Sequence, residues 1–336
     1  MLKRRHFLIF IFICLFSAVR SQPEFPKPVF PIHIIFDTDF GPDYDDVGAI
    51  TLLHGFADSG YIRILATMAS SKHKNAAAAI SVFNTYFRRP GIPIGVVRGN
   101  AVELGDKQHW TDLVISRYPH KIKNNQEAED ALDLYRKILA SQPDHSVTII
   151  TVGFLTNLAN LLESTPDKYS SMKGFDLIKK KVSNLVCMAG RFPSGREFNL
   201  DQDVPSSKKV LADWPTPILF SGFEIGQKIK TGIPLIHDNQ IQNSPVKDVF
   251  AICIPMALED SAGRMSWDET AVFVAVKGWR NYYDLEEGGC SINSDGSNEW
   301  NNQGTMKAHL VEKQSPQVMT AIINQLIMHQ PALITK

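Results

Sequence analysis

Five carboxylates fall within ten residues near the start of the chain. Residues 37–46 read DTDFGPDYDD and directly follow an apolar, β-branched run. Carboxylates this close raise one another's pKa unless a cation neutralises them. Since oxygen ligands favour a hard ion, the pattern indicates a Ca²⁺ or Mg²⁺ site. The alternative is a solvated acidic turn whose aspartates cap a helix.

Three later segments carry polar groups where a strand is expected to run into a turn. They are residues 151–157 (TVGFLTN), 196–203 (REFNLDQD) and 266–270 (SWDET). The first contains a glycine turn whose backbone carbonyls can bind a metal or a ligand. The second sets Glu197 beside Asn199, an acid and an amide suited to binding vicinal hydroxyls. For each segment, a plain polar loop or a helix cap is the alternative interpretation.

The elements that must position these groups alternate along the chain. Short apolar runs typical of buried strands occur at 32–36, 62–68, 94–97, 147–152, 185–189 and 218–220, with helical stretches between them. This order predicts an α/β fold, a Rossmann-like, open and mostly parallel sheet with helices on both faces. Ligands bind beyond the carboxyl ends of such strands, where the acidic run and the later segments fall. We expect a single domain over residues 32–332.

The N-terminal residues have the pattern of a secretory signal peptide. A basic start, MLKRRH, precedes an apolar run from Phe7 to Phe16 and small residues up to Ser21. We therefore expect a signal peptide at 1–21, a proline-rich lead-in at 22–31, and a secreted or periplasmic protein. A membrane anchor is the alternative, but the run is short for about 30 Å of hydrocarbon. No membrane span is expected after signal removal.

Composition excludes several function classes. The 336 residues are 44% hydrophobic and 21% charged, which is ordinary for a globular protein. Lys+Arg and Asp+Glu both number 35, so no net basic charge suggests a nucleic-acid partner.

Beyond the signal peptide the cysteines are Cys187, Cys253 and Cys290. An odd number does not build a disulfide scaffold, so we expect buried thiols, with one bridge left open.

Taken in order, the four segments resemble the nucleoside hydrolase family of the inosine–uridine-preferring type, over roughly residues 32–330. The family's Asp-x-Asp-x-Gly turn closing on an Asp-Asp pair is similar to residues 37–46. Its Gly-x-Leu-Thr-Asn turn is similar to 153–157, its Glu-Phe-Asn step to 197–199, and its late metal-binding aspartate to Asp268. Residues 295–313 look like the tail of secreted or bacterial members.

The resemblance implies calcium-dependent hydrolysis of the N-glycosidic bond of ribonucleosides to free base and ribose. It implies a Ca²⁺ held by four groups, namely Asp39, Asp46, Asp268 and the carbonyl of Val152. Asp39 would also be the general base. The sugar hydroxyls would be held by Asp45, Glu197 and Asn199. Homo-oligomers are usual in the family, so a homo-oligomer acting on a small ribonucleoside is expected.

The chain departs from the common family pattern in the acidic turn and before the late aspartate. The turn is two residues longer, so Asp43 competes with Asp45 for a role. Many members carry a histidine acid just before the late aspartate, whereas Trp267 stands here. This resembles purine-specific members, in which a tryptophan stacks on the base, and it suggests a purine preference. Trp110 is a candidate second stacking face, with core packing as the alternative.

The loss of that histidine leaves the leaving-group acid open. His73, His109 and His237 are candidate substitutes, each also explicable as a surface residue. A competing hypothesis is an extracytoplasmic nucleoside- or sugar-binding protein that has lost turnover. Two others are a phosphatase with an aspartate nucleophile and a calcium-stabilised interaction domain. Sugar release separates the hydrolase from all three.

Overall fold

The computed structural model describes residues 31–331. The signal peptide and nearly all of the predicted lead-in lie outside the described residues. The described strands are β1 Ile32–Thr38, β2 Ile62–Ala69, β3 Ile94–Val96, β4 Glu129–Asp130, β5 Val147–Thr151, β6 Val182–Met188, β7 Ser194–Gly195, β8 Ile218–Ser221, β9 Lys230–Thr231, β10 Arg264–Met265, β11 Tyr283–Ile292, β12 Asn298–Asn301 and β13 Lys307–Glu312.

The helices surround the strands in chain order. They are α1 Asp45–Asp58, α2 Ala76–Tyr86, α3 Trp110–Arg117, α4 Ala131–Ser141, α5 Thr156–Glu163, α6 Gly174–Lys181, α7 Phe198–Gln202, α8 Val204–Asp213, α9 Phe223–Gly226, α10 Ile233–His237, α11 Pro245–Cys253, α12 Trp267–Lys277 and α13 Pro316–Ile327. Three 3₁₀ turns occur at Asn125–Glu127, Ile254–Met256 and Leu258–Asp260.

The main sheet has the order β4-β3-β2-β1-β5-β6-β8-β13-β11-β12-β7. The pairings from β4 through β13 are parallel, whereas β11 pairs antiparallel with both β13 and β12. Strand β7 closes the far edge, also antiparallel. The predicted open, mostly parallel α/β sheet is confirmed. The antiparallel C-terminal edge is an addition that the alternation of apolar runs does not indicate.

Side chains of β1 alternate between two apolar layers, one on each face of the sheet. Ile34 and Phe36 pack into the layer that includes α1, α2, α12 and α13, whereas Ile35 packs into the layer of α4, α5, α6 and α8. This period of two is what a strand buried on both faces requires. The central strand is therefore fixed in register, and the residues that follow it are held at a defined place.

The direction of chain winding reverses beside β1. The chain runs outward from β1 through β2, β3 and β4, and then returns to place β5 on the other side of β1. Asp37 in β1 lies opposite Thr151 in β5. In open α/β sheets the crevice at such a reversal is the usual ligand site. The acidic run and the glycine turn after β5 both open into it.

Two further predictions are answered within the described chain. Cys187, Cys253 and Cys290 are buried free thiols, as expected. In residues 31–331, no helix is both long enough and apolar enough to cross a membrane.

Candidate active site

Asp37, the first acid of the run, is tied to the sheet and its helices. Its Oδ2 accepts hydrogen bonds from the Tyr135 hydroxyl at 2.8 Å and the Asn157 amide at 3.1 Å. The same amide donates to the Ala69 carbonyl at 3.1 Å. Burial raises the pKa of Asp37 to about 7, and these donors partly oppose that rise. Asp37 therefore joins β1, β2, α4 and α5 at the floor of the crevice.

Asp39 lies beyond the end of β1 and against the glycine turn that follows β5. A β-carbon at Gly153 would stand 2.6 Å from the Asp39 amide nitrogen and 2.8 Å from the Asp39 Cβ. Glycine is therefore required for the turn to reach the acid. On the other side of the acidic run, Gly41 has a φ of 143° and packs against the His73 ring. Two glycines thus set the shape of this part of the site.

The carboxylates of Asp39, Asp46 and Asp268 are buried together. Burial and the charges of Asp43 and Asp45 raise the pKa of Asp39 well above its usual value. Burial, followed by neighbouring aspartates, likewise raises the pKa of Asp46 and of Asp268. Such a cluster is unfavourable as a set of anions unless a cation joins it.

The chemistry of these three acids fits a hard divalent cation. Asp46 accepts a short hydrogen bond from the Thr38 hydroxyl on Oδ1, while its buried Oδ2 has no hydrogen-bond partner within residues 31–331. Carboxylate oxygens are the ligands that Ca²⁺ prefers. In the same part of the chain, no group of three or more His, Cys, Asp or Glu side chains is already arranged as metal ligands. The donor set is thus suitable in kind, without a formed coordination shell.

The Val152 carbonyl, the predicted fourth ligand, lies beside Asn199. The Asn199 amide donates to this carbonyl at 3.0 Å and to the Met188 carbonyl at 3.1 Å. Both amide hydrogens of Asn199 are used in these two bonds. Its Oδ1 is therefore the atom that could accept a hydrogen bond from a sugar hydroxyl. The Val152 carbonyl keeps a second lone pair. The segments after β5 and β6 are therefore in contact, whereas a metal or sugar role for Val152 and Asn199 stays a prediction.

Glu197 caps helix α7. Its Oε1 accepts from the Asn199 amide nitrogen at 2.8 Å, and its Oε2 accepts from Gly190 and Leu200 at 3.0 and 3.2 Å. Burial raises the pKa of Glu197 to about 7 against the effect of these donors. The helix-cap interpretation thus describes its observed contacts. A sugar contact for Glu197 stays a prediction.

Asp45 is bound by an arginine that the sequence interpretation missed. Arg264 is 8% exposed, and its Nε and Nη2 donate to Asp45 Oδ1 at 3.1 and 2.7 Å. Its Nη2 also lies 2.9 Å from Asp43 Oδ2. Burial lowers the pKa of Arg264, but the Asp45 and Asp43 carboxylates raise it by more, so that its pKa lies above its usual value. The available signal was chemical: a dense group of acids needs a cation, and Arg264 is four residues before Asp268.

Trp267 begins helix α12 and lies beside Arg264. The guanidinium carbon of Arg264 is 5.1 Å from the Trp267 ring, and the Phe223 ring is 5.1 Å away at a 30° tilt. The indole nitrogen donates to the Phe223 carbonyl at 2.9 Å. Trp267 is half-buried, so part of its surface is available to a ligand. Trp267 directly precedes Asp268, and the stacking of its ring on a nucleobase stays a prediction.

Trp110 has the alternative role of core packing. It is fully buried, with its indole nitrogen donating to the Asp43 carbonyl at 2.8 Å and its ring edge-on to Phe40 at 5.4 Å. It supports the acidic turn from behind and is not available to stack on a base.

The candidate substitute acids are in different environments. His109 and His237 are exposed, whereas His73 is 5% exposed and packs against Gly41. His73 and His109 line a cavity of about 330 Å³ together with Asp106. Burial lowers the pKa of His73. Of the three histidines, His73 and His109 therefore share a cavity beside the acidic turn.

A second buried acid missed by the sequence interpretation is Glu269. It is fully buried, and neither carboxylate oxygen has a hydrogen-bond partner in the described chain. A β-carbon at Gly48 would overlap its Oε1 at 1.9 Å, so α12 meets α1 closely at this glycine. Burial, followed by the Asp45 charge, raises the pKa of Glu269 well above its usual value. Glu269 therefore packs behind the cluster with both carboxylate oxygens unpartnered in the described chain.

Comparisons with known proteins concern the family and the fold of the chain. The family model described as inosine-uridine preferring nucleoside hydrolase matches residues 34–325. No curated protein sequence matches significantly. A purine-preferring ribonucleoside hydrolase from Gardnerella vaginalis superposes with a TM-score of 0.69 at 15% identity, covering 88% of this chain and 99% of that one.

Two other solved structures share the fold. A plant nucleoside hydrolase superposes with a TM-score of 0.68 at 18% identity, covering 89% of this chain and 99% of that one. The type III effector protein XopQ, complexed with adenosine diphosphate ribose, superposes at 0.62 with 14% identity, covering 90% and 94%. At these sequence identities, the similarity to the three structures concerns the fold.

Proposed function

The chain belongs to the inosine-uridine preferring nucleoside hydrolase family, whose model spans residues 34–325, and from this membership we propose a calcium-dependent reaction. The family and fold are those of an N-ribosyl hydrolase acting on ribonucleosides. We propose that this chain needs Ca²⁺ and releases free base and ribose. One observation carries the proposal: Asp39, Asp46 and Asp268 are all buried, and they lie close enough for the charges of Asp46 and Asp39 to add to the effect of burial in raising the pKa of Asp268.

The proposed chemistry assigns separate roles to the acids. The residues that would hold Ca²⁺ are Asp39, Asp46 and Asp268, together with the Val152 carbonyl. When bound, the ion would supply Lewis-acid polarisation and orient the ribose diol. Asp39 would accept a proton from the attacking water. Because the transition state resembles an oxocarbenium ion, nearby anionic carboxylates stabilise its developing positive charge.

The proposed sugar contacts are those of Asp45, Glu197 and Asn199. Asp45 and Glu197 would accept hydrogen bonds from ribose hydroxyls, and Asn199 would accept through Oδ1. The buried site excludes bulk water, which strengthens each of these interactions. The proposal gives the departing base a stacking surface on Trp267, which favours purines.

Location and assembly are also part of the proposal. The N-terminal pattern of residues 1–21 supports a secreted or periplasmic enzyme that acts on external nucleosides. We propose a homo-oligomer because homo-oligomers are usual in the family.

One alternative function has a specific observation in its favour. The effector that shares this fold is described as a complex with adenosine diphosphate ribose, and Trp267 replaces the usual histidine acid here. An extracytoplasmic receptor for nucleosides or sugars would keep the pocket without turnover. The retained cluster of Asp39, Asp46 and Asp268 favours the hydrolase.

The experiment that tests the proposal is release of reducing sugar from inosine, guanosine and uridine, with Ca²⁺ and with chelator. The hydrolase predicts release that stops in chelator and resumes with added Ca²⁺. No release from any ribonucleoside, with retained Ca²⁺-dependent binding, would support the receptor instead. Equal kcat/KM for all three substrates would overturn the purine preference alone.

A further inference from the structure

Arg264 brings a buried positive charge into the acidic cluster. It lies in β10, and its Nε and Nη2 both donate to Asp45 Oδ1, at 3.1 and 2.7 Å. Its Nη2 also pairs with Asp43 at 2.9 Å. A guanidinium has five donors in a rigid, planar fork, so this contact fixes the orientation of the carboxylate as well as neutralising it.

The same guanidinium lies over two aromatic rings. The Arg264 guanidinium carbon is 4.9 Å from the Tyr44 ring and 5.1 Å from the Trp267 ring. The Tyr44 hydroxyl donates to Asp260 Oδ2 at 2.7 Å, and the same oxygen lies 3.8 Å from Arg264 Nη1. Tyr44 directly precedes Asp45, and Trp267 directly precedes Asp268. The arginine therefore touches both segments from which the site acids come.

We propose that Arg264 is the positioning residue that couples Asp45 to Trp267, so that the sugar-binding acid and the base-facing indole are assembled as one unit. This inference rests on the proposed function for its catalytic consequence. Arg264 does not act on the substrate; it acts through the two residues that it orients. Base selectivity then depends on Arg264 as well as on Trp267.

Lysine cannot replace arginine in this role. It keeps the positive charge, but it has a single ammonium group in place of the planar fork and stacks poorly between two rings. Arg264→Lys is therefore the decisive variant, since it separates charge from geometry. Arg264→Gln removes the charge as well and leaves the buried Asp45 without its cation, which endangers folding.

Arg89→Lys is a matched control. Arg89 binds Asp58 at the C-terminal end of α1, whereas Arg264 binds Asp45 at the N-terminal end of the same helix. Both substitutions exchange a carboxylate-bound arginine for lysine. The control lies away from the acidic cluster, so it reports the cost of the exchange to the helix.

The experiment measures kcat and KM for inosine and uridine, together with the tryptophan emission attributable to Trp267, obtained by difference from Trp267→Phe. For Arg264→Lys we expect kcat/KM to fall about 100-fold, mainly through KM, as expected when two charge-assisted hydrogen bonds to Asp45 are lost. We also expect the inosine-to-uridine ratio of kcat/KM to change by about 10-fold and the Trp267 emission to shift. Arg89→Lys should match the wild type in all of these.

The outcomes are distinct. Arg264→Lys with wild-type kcat, KM, substrate ratio and Trp267 emission would overturn the positioning role while leaving the hydrolase intact. If the wild type releases no sugar from any ribonucleoside, the proposed function fails. The emission spectrum then decides alone: a shift in Arg264→Lys, absent in Arg89→Lys, supports the coupling to Trp267, and an unchanged spectrum refutes it.

Discussion

Gly153 lies so close to Asp39 that a β-carbon at position 153 would stand 2.6 Å from the Asp39 amide nitrogen. The two residues follow neighbouring strands, Gly153 after β5 and Asp39 after β1, at the point where the winding of the sheet reverses. The proposed base is therefore positioned by the backbone of the glycine turn. Its placement depends on the absence of a side chain opposite it.

This contact predicts that Gly153→Ala displaces Asp39. A shift of about 1 Å at a catalytic group can cost about 100-fold in rate, so we expect kcat to fall by that order. Gly91→Ala is the control, because a β-carbon there meets nothing within 4 Å. Steady-state kinetics of both variants, with thermal unfolding to verify folding, test the prediction. Normal turnover by a folded Gly153→Ala would show that this approach does not position Asp39.

Calcium should stabilise the folded chain through the three buried acids. A ligand that binds only the folded state at 100 times its Kd adds about 2.7 kcal/mol to the free energy of unfolding. We expect the midpoint of thermal unfolding to rise with Ca²⁺ and to return with chelator. In Asp268→Asn this Ca²⁺-dependent rise should be largely lost. An unfolding midpoint of the wild type that is insensitive to Ca²⁺ would remove these acids as a calcium site.

Glu197 should make the stability of the calcium-free protein depend on pH. Its pKa is about 7 in the folded chain against 4.5 ordinarily, so the folded state holds the proton more tightly. The contribution of Glu197 to the free energy of unfolding is fully present below about pH 4.5, and it is lost as the pH rises through about 7.

Denaturant unfolding of the wild type and Glu197→Gln, in chelator at about pH 5 and about pH 8, tests this. The wild type should lose on the order of 1–3 kcal/mol more than the variant over that interval. Equal losses in the two proteins would show that Glu197 ionises normally in the folded chain.

Trp267→Phe tests the base preference. If the indole stacks on the nucleobase, kcat/KM for inosine and guanosine should fall about 5-fold, since aromatic pairs contribute about 1 kcal/mol. Uridine, with a smaller ring, should lose less. The fold should be unaffected, because Phe223 and Arg264 still have a ring beside them. A uniform loss across all three substrates would assign Trp267 to the packing of the site.

The strand runs and the acidic turn were predictable because both depend on local sequence. β-Branched apolar runs mark β1, β2 and β5, and the polar residues after them fall at one edge because parallel strands end together. The antiparallel β11–β13 edge was not predictable in this way. Those strands are half-exposed and rich in charged residues, so their apolar pattern is weak.

Contacts between residues far apart in the chain could not be predicted from the sequence. Arg264 is 219 residues from Asp45, and no local pattern pairs them. Likewise, Trp110 appeared as a candidate stacking surface, but tertiary packing places it under the acidic turn. The sequence alone assigned no role to Asp37 of the acidic run. Its bonds to Tyr135 and Asn157, contributed by α4 and α5, show that it holds the crevice together.

The most direct test of Asp39 as the general base of a nucleoside hydrolase is ribose release by the wild type and by Asp39→Asn, both with saturating Ca²⁺ and inosine. The substitution preserves the size of the side chain and removes the general base. We expect the wild type to release nucleobase and ribose in equal amounts, and kcat to be at least about 1,000-fold lower for Asp39→Asn, within the range of general-base catalysis. Undiminished release by a folded Asp39→Asn would contradict the role of Asp39, and no release by the wild type would contradict the hydrolase.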